Sequence, residues 1–298
     1  MSVDSLPEAR ASLDARTLTL TLTVAASAFT ETDIAGREAR LRTPTLPQPG
    51  GFFNYSLFAS HDQGETQTSA IVETGAFSRL GVVVSSWLLG DNADPAASRD
   101  VRLETTWTLD FPDKLATLRV GDTVSNPGRW GRSLRYGGIQ LGTNFSVQPA
   151  FVTQPLANAS GAAALPSTVD VFVNNALVAQ DSVPSGPFSI GNIPTVTGAG
   201  DVRLVVRDLF GQETVITMPF YGGVNLLRAG LDEWSIDGGT ERLNFGTVSN
   251  DYGKGFAVGV WRRGLTDAIT ADLRGEWSRA SSAVGTGADF LVPRVGTA

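Results

Sequence analysis

The chain has 298 residues, with no cysteine, one histidine and two methionines, which excludes disulfide scaffolds, cysteine-containing metal sites and cysteine nucleophiles. Its 30 acidic and 23 basic residues give a net charge of -7, which argues against a nucleic-acid partner. No apolar run approaches the roughly 20 residues of a membrane-spanning helix, so a helical membrane protein is excluded as well.

The N-terminal segment predicts one strand and no export signal. The opening MSVDSLPEAR lacks a basic stretch followed by an apolar one, so we expect that the chain stays in the cytoplasm or that its natural N-terminus lies upstream. In ARTLTLTLTVAASAFT, residues 15–30, the residues Leu18, Leu20 and Leu22 alternate with threonines and share one face of a strand.

Period-two alternation of apolar and polar residues dominates the rest of the chain. In VRLETTWTLD, residues 101–110, Val101 and Trp107 point one way, and Arg102 and Glu104 the other. Helical periodicity is not convincing anywhere. Outside a central region, nine segments predict strands: 51–61, 67–78, 81–89, 101–110, 114–123, 134–147, 228–238, 255–264 and 268–278.

The connections between these segments alternate in length. Longer polar loops follow the first, third, fifth, seventh and ninth segments, and tight turns follow the second, fourth and eighth. Such alternation is typical of outer-membrane β-barrels, which have long extracellular loops and short periplasmic turns. The alternative is a soluble antiparallel sheet whose polar faces are simply solvated.

The connection after the sixth segment breaks this rule, because it is long where a short turn is expected. It contains five short predicted strands: 167–175, 176–183, 187–194, 200–208 and 212–221. We expect a small all-β module over 166–221, with Val169, Val171 and Val173 packing against Leu204, Val206, Val215 and Met218. The small-residue flanks 155–165 and 222–226 predict linkers.

A stiff turn is predicted inside this module by SVPSGPFSIGNIP, residues 182–194. Proline restricts φ, and glycine permits a bend that larger residues resist. Phe188 is expected to anchor the turn in the core with Ile190 and Ile193. The turn residues are Pro184, Gly186, Pro187 and Phe188.

Five stretches stand in order along the chain: LRYGGIQLGTNFSVQP (134–149), STVDVFVNN (167–175), VPSGPFSIGNIP (183–194), VRLVVRDLFGQETVITMPFY (202–221) and LLRAGLDEWSIDGG (226–239). Together they resemble the outer-membrane fimbrial usher of chaperone–usher secretion systems. The resemblance implies an all-β fold: a partial transmembrane antiparallel β-barrel of about nine or ten strands from a larger barrel, with a small β-sandwich plug domain inserted after the sixth strand.

The resemblance also implies a division of the chain. Residues 15–30 resemble the end of a periplasmic N-terminal domain, although an isolated edge strand explains them equally well. Since parts of the family's pattern are absent, we expect a fragment that is inactive alone. The implied parts are the end of the N-terminal domain (1–35), a linker (36–50), barrel strands one to six (51–154), a linker (155–165), the plug (166–221) and barrel strands seven to nine or ten (222–298).

By the same resemblance, the chain is a non-enzymatic outer-membrane usher that gates and translocates pilus subunits and serves as the platform for fimbrial assembly. The implied partners are periplasmic chaperone–pilus subunit complexes, outer-membrane lipid and a second usher copy. Strand complementation between subunits supplies the energy, so no cofactor or metal is expected. The alternative is a secreted or periplasmic all-β binding or adhesin-like module; an enzyme on a β scaffold is supported only by generic carboxylates.

Two further groups of residues are candidates for function. The loop TVSNPGRWGRS resembles a usher hairpin that leans inward against the plug, so Arg129, Trp130 and Arg132 are predicted to contact it. Six charged residues are predicted to face the lumen: Arg102, Glu104, Arg119, Asp272, Arg274 and Glu276. By contrast, we expect His61 to be a loop-edge residue and DNADP, residues 91–95, to be a plain loop and not a calcium site.

Overall fold

A computed structural model of the chain describes residues 10–14, 19–23, 31–35, 44–45, 47–62, 65–90, 100–193, 198–223, 225–292 and 296–297. The DNADP loop and most of the expected linker 36–50 lie outside these residues. Within them, regular structure consists of β-strands and two short 3-10 turns. No helix in this part of the chain is long and apolar enough to cross a membrane.

The described residues form twenty strands. They are β1 Arg10–Asp14, β2 Thr19–Thr23, β3 Thr32–Ala35, β4 Gly50–Asp62, β5 Glu65–Ser78, β6 Gly81–Gly90, β7 Asp100–Phe111, β8 Ala116–Val124, β9 Arg135–Thr143, β10 Ala157–Ala163, β11 Ser167–Val173, β12 Ala176–Val183, β13 Gly186–Ile193, β14 Gly198–Asp208, β15 Glu213–Gly222, β16 Asp232–Arg242, β17 Tyr252–Thr266, β18 Ile269–Ser278, β19 Ser282–Val292 and β20 Gly296–Thr297.

The chain divides into two compact units. The larger unit comprises residues 39–153 and 229–289, and the smaller one residues 1–38, 154–228 and 290–298. The large sheet has the strand order β4-β5-β6-β7-β8-β9-β16-β17-β18-β19-β20. Each of the nine segments predicted from alternation overlaps one of its strands, β4 to β9 and β16 to β18. The expectation of an all-β fold with a large antiparallel sheet is therefore confirmed.

In the large sheet, β9 and β16 are direct neighbours although six strands separate them in sequence. Their antiparallel register runs from Gly142 opposite Ser235 to Tyr136 opposite Glu241. The strands β10 to β15 thus lie in a connection between two adjacent strands of one sheet.

Two connections predicted to be long are short. Strand β4 runs to Asp62 and β5 starts at Glu65, so their ladder extends into the expected loop DQGET. Likewise, β19 starts at Ser282, and a hydrogen bond of 2.8 Å from the Ser278 amide to the Ser281 carbonyl closes the turn after β18. The alternation is weaker than the sequence indicated, because polar residues at these ends continue the ladders.

The smaller unit contains a four-stranded sheet, β12-β11-β14-β15, and a three-stranded sheet, β10-β13-β3. In the second sheet β3 runs parallel to β13, with Asp33 opposite Ser189 and Ile34 opposite Ile190. One cluster of buried residues forms the core: Ala159, Ala163, Val169, Val171, Val173, Val183, Phe188, Ile190, Ile193, Val202, Leu204 and Val206.

Residues 155–165, expected to form a linker, instead include strand β10, which pairs with β13. The small residues have a packing reason: a Cβ added to Gly161 would lie 2.7 Å from the Phe188 ring. A second correction concerns Val215, which is exposed, whereas Ile216 packs against the core.

Candidate functional site

One face of the large sheet is polar and buried. Because residues directly opposite in register share a face, this face can be followed across six strands. One row consists of Thr108, Arg119, Gln140, Asp237, Val258 and Glu276, and neighbouring rows contain Thr117, Ser235, Arg274, Glu233, Arg262 and Asp272. The exposed fraction is 0% for Asp237, 2% for Arg274 and 3% for Thr117.

The opposite face is apolar and exposed. The row beside the polar one consists of Trp107, Val120, Ile139, Gly238, Ala257 and Trp277. Ile236 is 61% exposed, Trp277 57% and Ile139 54%. This distribution is the reverse of that in a water-soluble sheet, which buries its apolar face.

A connected set of hydrogen bonds surrounds Asp237 on the polar face. Asp237 accepts hydrogen bonds from the Tyr136 hydroxyl (2.8 Å), the Gln140 amide (2.6 Å) and the Ser235 hydroxyl (2.6 Å). Gln140 in turn accepts from Arg119 at 2.6 Å. Three donors offset the cost of burying the Asp237 carboxylate away from water.

The connection between β8 and β9, residues 125–134, folds over this polar face. The Trp130 indole donates to Asp272 (3.0 Å), and Arg129 forms an ion pair of 2.8 Å with Asp289. Arg274 donates to the Asn126 carbonyl at 2.8 Å. Part of the connection, with the sheet below it, borders a half-open polar pocket of about 290 Å³ lined by residues that include Thr117, Arg119, Gln140, Asn126 and Ser235.

Of the three predicted hairpin residues, two have defined partners on β18 and β19, while Arg132 is exposed. The cation of Arg274 also lies 5.8 Å from the Trp130 ring. Contact of these residues with the inserted module stays a prediction.

Five of the six predicted lumen residues have partners opposite them on the polar face: Glu104 opposite Ser86, and Arg119, Asp272, Arg274 and Glu276 in the rows described above. The sequence pattern put Arg102 on the same face as Glu104, but in the structure the two residues lie on opposite faces of the sheet. An irregularity in the β6–β7 pairing sets Arg102 opposite Trp87, and this extra residue reverses the alternation.

The predicted stiff turn is shorter than expected. Only Pro184 and Ser185 connect β12 to β13, whereas Gly186, Pro187 and Phe188 begin β13. Phe188 is fully buried, with Ile190 and Ile193 in the same core.

On the outside of this module Glu213 accepts two hydrogen bonds from Arg207 and thereby raises the pKa of that guanidinium.

A second polar cluster was not predicted. Asp122 forms ion pairs with Arg102 and with Arg242 (3.4 Å) and accepts a hydrogen bond of 2.6 Å from the Tyr252 hydroxyl. In TLRVGDTV, residues 117–124, Asp122 falls two residues after Val120 and so on the apolar face of β8. A charged residue at a position where the alternation predicts an apolar one is the signal that could have identified this cluster.

Among the described residues, no group of three or more His, Asp or Glu side chains is placed to hold a metal ion. His61 lies at the end of β4, exposed, with its Nδ1 2.9 Å from the Thr66 hydroxyl on β5.

Comparison with known proteins agrees with this geometry. Residues 77–294 match the family model described as outer membrane usher protein. The chain is 28% identical over 244 residues to the outer membrane usher protein FaeD of Escherichia coli, which covers 80% of this chain and 29% of that protein. It is 30% identical over 138 residues to the outer membrane usher protein FimC of Bordetella pertussis, covering 46% and 16% of the two chains.

Among solved structures, the chain is similar to one chain of the P pilus tip assembly intermediate PapC-PapD-PapK-PapG of E. coli, with a TM-score of 0.59 and 18% identity. The similarity covers 98% of this chain and 37% of that one, and it concerns the fold. The chain spans between 16% and 29% of the length of the two curated relatives named above.

Proposed function

This chain belongs to the outer-membrane usher family, and from that premise we propose that its large sheet is a section of the wall of a translocation pore for pilus subunits. Ushers are outer-membrane proteins and not enzymes. In the proposal the polar face of the sheet faces the lumen and the apolar face contacts lipid.

One observation carries this proposal: the sheet exposes its apolar face and buries its polar one. Exposing Ile236, Trp277 and Ile139 to water would be unfavourable by roughly 25 cal/mol per Å² of apolar surface, whereas lipid removes that cost. A lumen-facing surface also explains why Arg119, Arg274 and Asp272 lie on one side.

We further propose that the inserted module is the plug. The usher resemblance supports a plug over 166–221, and the strand bounds extend it to β10 through β15, residues 157–222. Its insertion along the chain between two adjacent wall strands, β9 and β16, supports this assignment. The remaining proposed parts are the end of an N-terminal domain (1–35), a linker (36–50) and wall strands in 51–154 and 223–298.

The proposed partners are periplasmic chaperone–pilus subunit complexes, outer-membrane lipid and a second usher copy. The solved relative, named as an assembly intermediate of PapC, PapD, PapK and PapG, supports the first of these. Subunits would exchange a chaperone strand for a neighbour's strand, so β-augmentation drives export without a nucleotide site.

Membrane partition tests the proposal against the alternative of a soluble binding or adhesin-like module. Exported into the periplasm of a Gram-negative host, the chain should sediment with outer membranes and require detergent for extraction. Recovery in the soluble periplasmic fraction without detergent would support the soluble module.

A chimera tests the pore itself. Residues 39–298 would replace the matching region of the FaeD usher, which aligns over 80% of this chain. The chimera should assemble pili, and removal of 157–222 from it should abolish assembly and admit large antibiotics. A deleted chimera no leakier than the intact one would contradict the plug assignment.

A further inference from the structure

The ladder between β7 and β8 ends early. Their pairing covers Thr106 to Phe111 and stops at Gly121, whereas β8 and β9 remain paired to Val124 and Arg135. The β8–β9 hairpin therefore separates from β7 after Gly121. Beyond that point it lies over the polar face, where a Cβ at Gly128 would lie 3.2 Å from Val260.

A row of three glycines marks the line along which the hairpin bends. Gly121 on β8 is opposite Gly138 on β9, which is opposite Gly239 on β16. Gly121 has a φ of 119°, and a Cβ at Gly138 would lie 2.7 Å from the Gly239 Cα. Side chains at these positions would prevent the strands from approaching so closely, so the row permits a sharp fold in the sheet.

The bend opens the sheet, and another segment fills the opening. Strands β7 and β17 are four places apart in the sheet, about 19 Å at the usual strand spacing. Yet the Tyr252 hydroxyl lies 2.6 Å from Arg102 Nη2. The connection 243–251 reaches β7 as well, since Ser249 and Asn250 accept hydrogen bonds of 2.9 and 2.8 Å from the amide and Nε of Arg102.

Asp122, at the base of the hairpin, joins these parts. It pairs with Arg102 of β7 and Arg242 of β16, accepts from Tyr252 of β17, and accepts a hydrogen bond of 2.9 Å from the Thr105 amide. The Tyr252 ring lies across β9, where a Cβ at Gly137 would come within 2.5 Å of it. We call the group Arg102, Asp122, Arg242 and Tyr252 the Asp122 clasp.

We propose that the Asp122 clasp is a lock that couples two positions: the hairpin 122–137 on the polar face, and residues 243–252 in the opening that the hairpin leaves. Breaking the clasp frees the hairpin to turn about the glycine row and unseals the opening. The effect of the lock on gating rests on the proposed pore function. The lock itself does not depend on that function and can be tested separately.

Disulfide trapping tests the lock, because the chain has no cysteine of its own. The pair Gly128→Cys/Val260→Cys should oxidise in the detergent-solubilised parent chain, since a Cβ at position 128 would lie 3.2 Å from Val260 Cγ1, a position that a cysteine sulfur can take. Adding Asp122→Asn or Tyr252→Phe should slow this cross-link about tenfold, as expected for loss of charge-assisted or buried hydrogen bonds. Chymotrypsin cleavage within 243–252 should accelerate in parallel.

Matched variants separate the lock from general damage. Asp232→Asn removes a carboxylate that pairs with Arg263 and takes no part in the clasp, and it should leave both rates unchanged. A second pair, Leu118→Cys/Leu141→Cys, joins opposing residues of β8 and β9 outside the bend and reports an intact sheet.

If a clasp variant also lowers the rate of the Leu118/Leu141 cross-link, the variant Gly137→Ala tests the lock in its place. Its methyl group would displace the Tyr252 ring, whereas the control Gly238→Ala meets nothing within 4 Å. Trapping slowed by the first and unaffected by the second supports the lock. Trapping rates equal to the parent's in Gly137→Ala and in well-folded clasp variants would overturn it, whatever the membrane partition experiment shows.

Discussion

The large sheet and the inserted module both show alternation of apolar and polar residues. The module buries its apolar residues, whereas the large sheet buries its polar ones. In the module, Val169, Val171 and Leu204 are fully buried, and charged residues such as Arg207 and Glu213 stand outside. In the large sheet, Asp237 and Arg274 are buried and Ile236 is exposed. Alternation therefore specifies two faces, and the surroundings of the sheet decide which one is covered.

The largest expected effect tests the module's side of this comparison. Phe188→Ala empties the centre of a small core and should lower the free energy of unfolding of the module by about 3 to 5 kcal/mol, as buried aromatic truncations do. Protease resistance of residues 157–222 during thermal unfolding measures it. The control Phe210→Ala, at a position 80% exposed, should change stability by no more than about 0.5 kcal/mol; equal effects would mean that this core is not the one holding the module together.

The next effect tests the large sheet's apolar face. Ile236→Lys should destabilise the protein folded in phospholipid vesicles by about 2 to 4 kcal/mol if residue 236 lies near the bilayer midplane. Denaturant titration of tryptophan fluorescence measures this change. Leu209→Lys, on the module and 75% exposed, should be nearly neutral. A neutral Ile236→Lys would show that this face meets water, and the comparison would then fail.

A smaller effect is expected on the buried polar face. Asp237→Leu removes the acceptor for Tyr136, Gln140 and Ser235 and should cost about 1 to 3 kcal/mol through unsatisfied donors. The matched change in the module is Asp170→Leu, which removes an exposed acceptor for Gln180 and should be close to neutral. Stabilisation by Asp237→Leu in a denaturant titration would indicate that this face favours apolar side chains.

The smallest effect is expected at the module's surface. Arg207→Gln removes an exposed ion pair with Glu213, so the melting temperature should barely change and the difference should shrink with added salt. Hydrogen bonding to Glu213 raises the pKa of Arg207 above its ordinary value, so the contribution of this guanidinium is lost only at strongly alkaline pH. The difference should therefore be flat between roughly pH 6 and 9; a marked pH dependence there would point to a different partner.

Much of the fold follows from local pattern. Each of the nine alternating segments overlaps a strand of the large sheet. Successive side chains of a pleated strand point to opposite faces, so a sheet with one apolar and one polar face requires this alternation. The stretches around Val169, Leu204 and Phe188 likewise predicted strands of the small core. Val215 was misassigned because apolar residues stand at both 215 and 216, so composition there does not distinguish the two faces.

The candidate site was predictable only in part. Arg119, Asp272, Arg274 and Glu276 could be assigned to one face of the sheet because each alternates regularly with apolar neighbours, while their position in a lumen stays a prediction. Arg102 was placed on the wrong face because an extra residue in one strand is invisible to a strict period of two. The strand β10 was taken for a linker because small residues suit flexible segments as well as close contact with an aromatic ring.

The sequence by itself determined nine strands of the large sheet, the long connection between β9 and β16, and the two-faced character of those strands, because these depend on neighbours one or two residues apart. Only the tertiary structure decided that the large sheet buries its polar face, that the hairpin 122–137 folds over it, and that Arg102, Asp122, Arg242 and Tyr252 meet. Those contacts join residues up to 150 positions apart, and they form because a row of glycines lets the sheet bend there. Such a bend depends on the register between strands, which no single strand's pattern contains.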